Sequence, residues 1–347
     1  MKNVYVGMSG GIDSSVCAYM LKEEGYKVTG ITFRALTEQG SKKCCSIEEI
    51  NAAKRVCDFL EIPHKIIDLA DLFRAKVINP FISSYKKGLT PNPCVLCNRY
   101  VKFGALAELA FGNGADFFAT GHYVSTETVD NETFIKRALD KNKDQSYFLS
   151  FINKEYLPRF IFPLGKFHKE EIRKKAQTAN LPINPHKGES QDVCFIKDDY
   201  RDFLEAEGVE HSRGDFIYQG KIAGHHRGIP FYSFGQRRGH KVAVGRRVFI
   251  REFDIANNRI ILGDAPKSIY FETDNLNIFT SKFTDGVYDI QPRYRSQTVK
   301  GKVEIEGVRA RVTLEKAYPL LTPGQFAVFY KSGRVFASGV ISHIKLE

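Results

Sequence analysis

Residues 9–15 read Ser-Gly-Gly-Ile-Asp-Ser-Ser and follow the apolar run Val4-Tyr5-Val6-Gly7-Met8. These types at this spacing suit one task, wrapping a triphosphate at the mouth of an α/β sheet. Val4 to Met8 reads as a buried strand, and Val16, Cys17, Met20 and Leu21 fall at helical spacing behind it. Gly10 and Gly11 let backbone N–H groups come close to a phosphate, and the N-terminus of the next helix favours an anion. No Gly-Lys-Ser/Thr closes the loop, so it is not a Walker A. Asp13 at a helix start can also act as a cap.

Thiols are the second chemical resource. Seven cysteines stand at 17, 44, 45, 57, 94, 97 and 194. An odd, front-loaded set is a poor disulfide framework and points to a reducing, cytoplasmic setting. Cys17 and Cys57 lie on apolar helical faces and read as core. Cys44, Cys45, Cys94, Cys97 and Cys194 lie near polar, Pro- or Gly-containing stretches, and Pro91 and Pro93 argue against a core position for Cys97. Cys44-Cys45 and His225-His226 are rejected as a zinc site because no second C-x-x-C or H-x-x-x-H accompanies them.

The elements that must position these groups alternate. Strands are expected at 3–8, 27–33, 64–69 and 116–119, with helices between, the pattern of a parallel α/β sheet with its ligand at the strand C-termini. A helix from Ser46 carries a capping box with Glu49 and a stripe of Ile47, Ile50, Ala53, Cys57 and Leu60. A helix after Asn98 carries Val101, Ala105 and Leu109, and 155–180 reads as helical and basic. These elements fill an N-terminal domain at 1–204. A small β-rich domain is expected at 205–270 and a β-barrel at 271–347. In the latter Val308, Ala310, Val312 and Leu314 alternate with Arg309, Arg311 and Thr313, and Ser332-Gly333 marks a hairpin.

The bulk properties bound the function. The 347 residues allow two or three domains, and 43% hydrophobic with 26% charged content is that of a globular protein. No apolar run spans a membrane, and the chain starts at once with a strand, so no leader is read. The net charge of +11 favours a polyanionic partner.

The loop at 9–15 resembles the PP-loop of ATP pyrophosphatases. Residues 90–98, Thr-Pro-Asn-Pro-Cys-Val-Leu-Cys-Asn, and 188–196, Gly-Glu-Ser-Gln-Asp-Val-Cys-Phe-Ile, extend the likeness. So do Ala119-Thr120-Gly121-His122-Tyr123, Lys143-Asp144-Gln145-Ser146-Tyr147-Phe148-Leu149, Arg293-Tyr294-Arg295 and Pro323-Gly324-Gln325. Together, in order and over nearly the whole chain, they resemble the tRNA-specific 2-thiouridylases, which thiolate the wobble uridine of certain tRNAs.

The resemblance implies roles. Gly7, Met8, Ser9, Gly10, Gly11, Ile12, Asp13 and Ser14 would bind ATP, with Phe33 and Gly121. Asp13 would organise the loop and Mg²⁺, a hard cation that prefers oxygen. Cys97 would be the nucleophile and Cys194 the persulfide carrier, with thiol pKa values lowered by nearby cations such as Lys102 or Lys197. Asn92, Pro93, Cys94, His122, Lys143, Asp144, Gln145, Arg293, Tyr294 and Gln325 would touch tRNA of the Lys, Glu or Gln acceptors. A sulfur-carrier protein or cysteine desulfurase would supply sulfur to a monomeric enzyme. Cys94 stands where relatives have Asp, so a second sulfur route stays open: an iron–sulfur cluster on Cys94, Cys97 and Cys194. Two readings of other classes are a PP-loop ligase for a small molecule and a non-catalytic RNA-binding protein. The cysteine pair argues against the first and the intact loop against the second.

Overall fold

The computed structural model describes residues 1–35, 47–183, 193–196 and 198–347. The Ser46 cap, the Cys44-Cys45 pair, residues 188–192 and Lys197 lie outside the described residues. The chain divides into two units. One comprises Met1–Val77, Cys94–Lys197 and Ser332–Val335, the other Ile78–Pro93, Asp198–Lys331 and Phe336–Glu347.

The first unit is built on the expected strands: β1 (Asn3–Gly7), β2 (Lys27–Arg34), β3 (His64–Asp68) and β4 (Phe117–Thr120). A hairpin of β5 (Val124–Val129) and β6 (Glu132–Arg137) follows, turning on Asp130 and Asn131, both at positive φ. Arg334 pairs with Lys136 at the edge of this hairpin. A two-residue strand, β7 (Phe160–Ile161), completes a five-stranded parallel sheet in the order β3-β2-β1-β4-β7. Both faces are covered, so the middle of the central strand is apolar, with Val4 and Val6 fully buried. Val16, Cys17, Ala18 and Leu21 of the helix Ile12–Glu23 join Ala53, Val56 and Cys57 in the same core. Burial pushes the Cys57 thiol up to about 12 and Cys17 further still, so both are inert core residues.

Three helical readings need correction. Residues 155–180 are not one helix: 3₁₀ turns at Lys154–Arg159 and Pro163–Lys166 flank β7, and only Lys169–Thr178 is α-helical. Pro158 and Pro163 cannot donate the backbone bonds that a continuous helix requires. In the helix Ile47–Phe59 the buried face runs through Ala53, Val56 and Cys57. Ile47 is 61% exposed, since at 3.6 residues per turn it lies roughly 120° around the axis from Ala53. After Cys97 the chain forms a π-helical stretch, Asn98–Leu106, kinked at Gly104. Its wider turn moves the buried face from the expected Ala105 and Leu109 to Phe103, Leu106 and Ala110, leaving Leu109 exposed.

The second unit holds two sheets. β8 (Gly214–Tyr218), β9 (Lys221–His226), β10 (Phe249–Asp254) and β11 (Arg259–Gly263) form the small central sheet in the order β10-β11-β8-β9. The C-terminal strands are β12 (Lys267–Ile278), β13 (Gly286–Gln291), β14 (Val299–Glu306), β15 (Arg309–Pro319), β16 (Phe326–Lys331) and β17 (Arg334–Lys345). They run β12-β15-β14-β13-β16-β17, and β12 pairs back onto β17 to close the expected antiparallel barrel. Ala310, Val312 and Leu314 point into it as expected, but Val308 is exposed in the turn between β14 and β15. Ser332 and Gly333 both take positive φ, as a two-residue hairpin turn requires.

Candidate active site

The phosphate loop leaves β1 at its C-terminal end and is held by its own hydroxyls. Gly10 takes φ +72°, and a Cβ there would lie 2.6 Å from the Glu49 carbonyl oxygen. Gly11 is the N-cap, and its carbonyl accepts from Ser14 Oγ at 3.1 Å and Ser15 Oγ at 2.8 Å. Ser14 Oγ in turn accepts from the Ser9 N–H. On the entry side Thr32 Oγ1 donates to the Met8 carbonyl at 2.9 Å and lies 2.8 Å from His64 Nε2. The hydroxyl has spent its one proton, so His64 Nε2 must donate to it. Burial, with the Lys54 charge second, lowers the pKa of His64. Gly121 closes the site from β4: a Cβ there would lie 2.6 Å from the Asp13 carbonyl carbon and 2.8 Å from the Ser14 nitrogen.

Asp13 is not open to solvent ligands alone. Its Oδ1 accepts from the Tyr123 hydroxyl at 2.7 Å, and both its oxygens lie 2.7 Å from Lys169 Nζ. Lys169 is only 4% exposed and is the first residue of the helix Lys169–Thr178. Sequence reasoning read 155–180 only as helical and basic and did not single out Lys169. A cation in the first helical turn opposes the helix dipole, and that misplacement was the available signal. A protein-held Mg²⁺ does not fit here, because this carboxylate already accepts from an ammonium and a phenol. Among the described residues no three His, Cys, Asp or Glu side chains converge to hold a metal.

The thiols come from two elements of the same unit. Cys94 and Cys97 lie one turn apart on the short helix Pro93–Cys97, which continues into the π-helical stretch. That stretch is tied down by Asn98 Nδ2, which donates to the Phe148 carbonyl at 3.1 Å, and by Phe103 against Phe118, Phe160 and Phe162. Cys194 sits in a tight turn closed by the Ile196 N–H on the Val193 carbonyl. Phe195 anchors that turn edge-on to Phe73, which packs against the expected adenine-side residue Phe33. Burial pushes the Cys94 thiol up to about 11; the neighbouring Cys194 also raises it, while Lys102 lowers it. Cys94 and Cys194 therefore share one electrostatic site with Lys102. Cys94, Cys97 and Cys194 do not form a converging metal-ligand set among the described residues.

Other expected residues act through neighbours. Asp144 accepts from Arg137, the Ala138 N–H and both the N–H and hydroxyl of Ser146. Gln145 Oε1 accepts from the Tyr123 N–H at 2.8 Å, and its own N–H donates to the Tyr123 carbonyl. Lys143 lines a cavity of about 460 Å³ with Asp140, Asn142, His168, Lys169 and Arg173. In the second unit Gln325 Nε2 donates to the Thr90 carbonyl at 2.8 Å, which fixes the segment leading through Asn92 and Pro93 to Cys94. Arg293 is exposed between β13 and β14, and Arg295 lies over the Tyr294 ring.

His122 bonds Thr120 Oγ1 through Nδ1 at 2.8 Å and packs against Phe103. Burial first, and the Lys102 charge second, hold its pKa well below the usual range. The imidazole is thus neutral at pH 7 and offers no positive charge to a phosphate. A depressed histidine stabilises the fold above the unfolded value of about 6.5, and that contribution is lost as pH falls toward the folded value. Melting temperature should fall less steeply below pH 6.5 in His122→Asn than in the wild type. Equal slopes would contradict the neutral assignment.

Three family matches tile the chain: the "tRNA methyl transferase HUP domain" at residues 2–198, the "tRNA methyl transferase PRC-barrel domain" at 201–264 and the "Aminomethyltransferase beta-barrel domain" at 270–341. The chain is 39% identical over 351 residues to the tRNA-specific 2-thiouridylase MnmA of Desulforudis audaxviator, covering 99% of both chains. It is 41% identical to that of Persephonella marina, covering 97% of this chain and 99% of the relative. With that of Clostridium perfringens the identity is 36%, over 99% of both. With a PP-loop on a parallel sheet, a small central domain and a C-terminal barrel, the chain belongs to the tRNA-specific 2-thiouridylase family.

Proposed function

We infer that this chain is an ATP-dependent tRNA sulfurtransferase that thiolates the wobble uridine at C2. One observation carries the reading furthest: the stretch that continues from Cys97 packs its Phe103 against His122, and the adjacent Gly121 packs onto the phosphate loop. This packing supports the reading that thiol chemistry and nucleotide chemistry belong to one site.

The uracil O2 attacks the α-phosphorus of ATP, pyrophosphate leaves and N3 gives up its proton. Oxygen has become part of AMP, a competent leaving group. Cys194 carries the incoming sulfur as a persulfide, whose terminal sulfur bonds to C2 as AMP departs. Cys97 thiolate then attacks the Cys194 sulfur and breaks the S–S bond, whose electron pair stays with the new thiocarbonyl sulfur. The product is a Cys97–Cys194 disulfide, which an external thiol reductant reopens. The protein's task is positioning: the loop orients the phosphates, and Phe33 flanks the adenine.

Three domains at 1–204, 205–270 and 271–347 serve this task, a division supported by the three family matches. A sulfur-carrier protein or cysteine desulfurase loads Cys194, and the acceptors are tRNAs for Lys, Glu and Gln. The enzyme works as a cytoplasmic monomer. Among the described residues no helix is long and apolar enough to cross a membrane.

Pyrophosphate release should require tRNA as well as ATP; release that is indifferent to tRNA would favour a small-molecule ligase. The net charge of +11 makes tRNA affinity fall steeply with salt. Arg293→Ala should lower the magnitude of the salt slope by roughly 1. An unchanged slope would remove Arg293 from the interface.

A further inference from the structure

Asp13 poses an electrostatic problem that the sulfur-transfer reading leaves unsolved. It lies in the first turn of the helix Ile12–Glu23, where backbone N–H groups would receive the triphosphate. A bare carboxylate there repels the anion that the loop is shaped to bind. Some positive charge must cancel it, and the structure supplies one from within the chain. Lys169 Nζ sits 2.7 Å from each carboxylate oxygen, and its side chain is 5% exposed. The Tyr123 hydroxyl completes the set at 2.7 Å.

The lysine is placed deliberately by its surroundings. Its backbone N–H donates to Asp140 Oδ2 at 3.1 Å, which fixes the start of its helix. The His168–Glu171 capping box holds the same turn. Its ammonium lies 5.5 Å from the centre of the Tyr123 ring. A buried ammonium is retained only where it is paired, and here the pairing partner is a residue of the phosphate loop.

We propose that Lys169 is a positioning residue that neutralises Asp13, so that the phosphate loop accepts ATP without a metal ion bound to the Asp13 carboxylate. Tyr123 is its accessory and holds the carboxylate in the orientation that both oxygens of the ion pair need. The inference rests on ATP being the loop's ligand. It concerns how the loop tolerates Asp13, not the fate of the sulfur.

The test is equilibrium binding of ATP to the full-length protein by calorimetry, in Mg²⁺ and in EDTA, with melting curves for every variant. Wild-type binding of ATP establishes the parent reading, and its absence there would overturn that reading. Lys169→Met strands a carboxylate and should weaken ATP binding by at least about tenfold. The double variant Asp13→Asn/Lys169→Met removes both charges and should recover most of that loss. Lys169→Arg, which keeps the charge, should bind more tightly than Lys169→Met. Asp13→Asn alone should change ATP affinity by the same factor in Mg²⁺ as in EDTA, because no metal is lost. A double variant no better than Lys169→Met, or an Asp13→Asn defect confined to Mg²⁺, would overturn the proposal. The comparison of Asp13→Asn in the two buffers stands even if Lys169→Met fails to fold.

Discussion

Cys97→Ser and Cys194→Ser should each reduce release of thiolated tRNA to background, while tRNA-dependent pyrophosphate release continues. Adenylation uses the phosphate loop and the uracil oxygen, and neither thiol takes part in it. Serine at 194 cannot carry a persulfide, so the adenylated base meets no sulfur. Serine at 97 cannot open the Cys194 S–S bond, because an alkoxide is not available at neutral pH as a thiolate is. The two variants should separate on one further measurement. Given a persulfide donor, Cys97→Ser should accumulate label on Cys194, as the persulfide or as its mixed disulfide with C2 of the tRNA, and Cys194→Ser should accumulate none. Measurable thiolation by either variant would break the assignment, and loss of pyrophosphate release in both would show that the thiols serve the fold or the ATP site instead.

Gly121→Ala is expected to cripple ATP use without touching a chemical group. The added methyl would sit 2.6 Å from the Asp13 carbonyl carbon, 2.7 Å from its oxygen and 2.8 Å from the Ser14 nitrogen. All three are backbone atoms at the start of the loop helix, so no side chain can swing away. Overpacking of this kind costs about 1–3 kcal/mol, and here the strain falls on the phosphate-binding turn. Pyrophosphate release should drop by roughly tenfold to a hundredfold, at 1.4 kcal/mol per decade, with a lowered melting temperature. Near-normal release would mean that the loop relaxes freely and that its seat on Gly121 does not matter.

The parallel sheet was legible in the sequence because its strands are short apolar runs separated by helical periods, and each lies within one residue of expectation. The phosphate loop was legible for a different reason: glycines and hydroxyls at fixed offsets leave few alternatives. Lys169 was not legible, because a lysine in a basic stretch looks the same whether it is solvated or buried against a carboxylate 156 residues away. Tyr123 was visible only as part of a motif; its hydroxyl bond to Asp13 is a tertiary fact. The shifted face after Cys97 escaped because a π-helical turn breaks the 3.6 period on which the reading rested. β7 escaped because two residues between prolines carry no period at all.

The central claim is transfer of sulfur to tRNA at a site that also consumes ATP. The direct measurement incubates the full-length protein with unmodified tRNA, ATP and a persulfide donor, and resolves the tRNA on a mercury-containing gel. The expected result is a retarded tRNA band that disappears when ATP, the donor or the protein is omitted. A tRNA that migrates unretarded under the complete conditions, or a retarded band that forms equally without ATP, would contradict it.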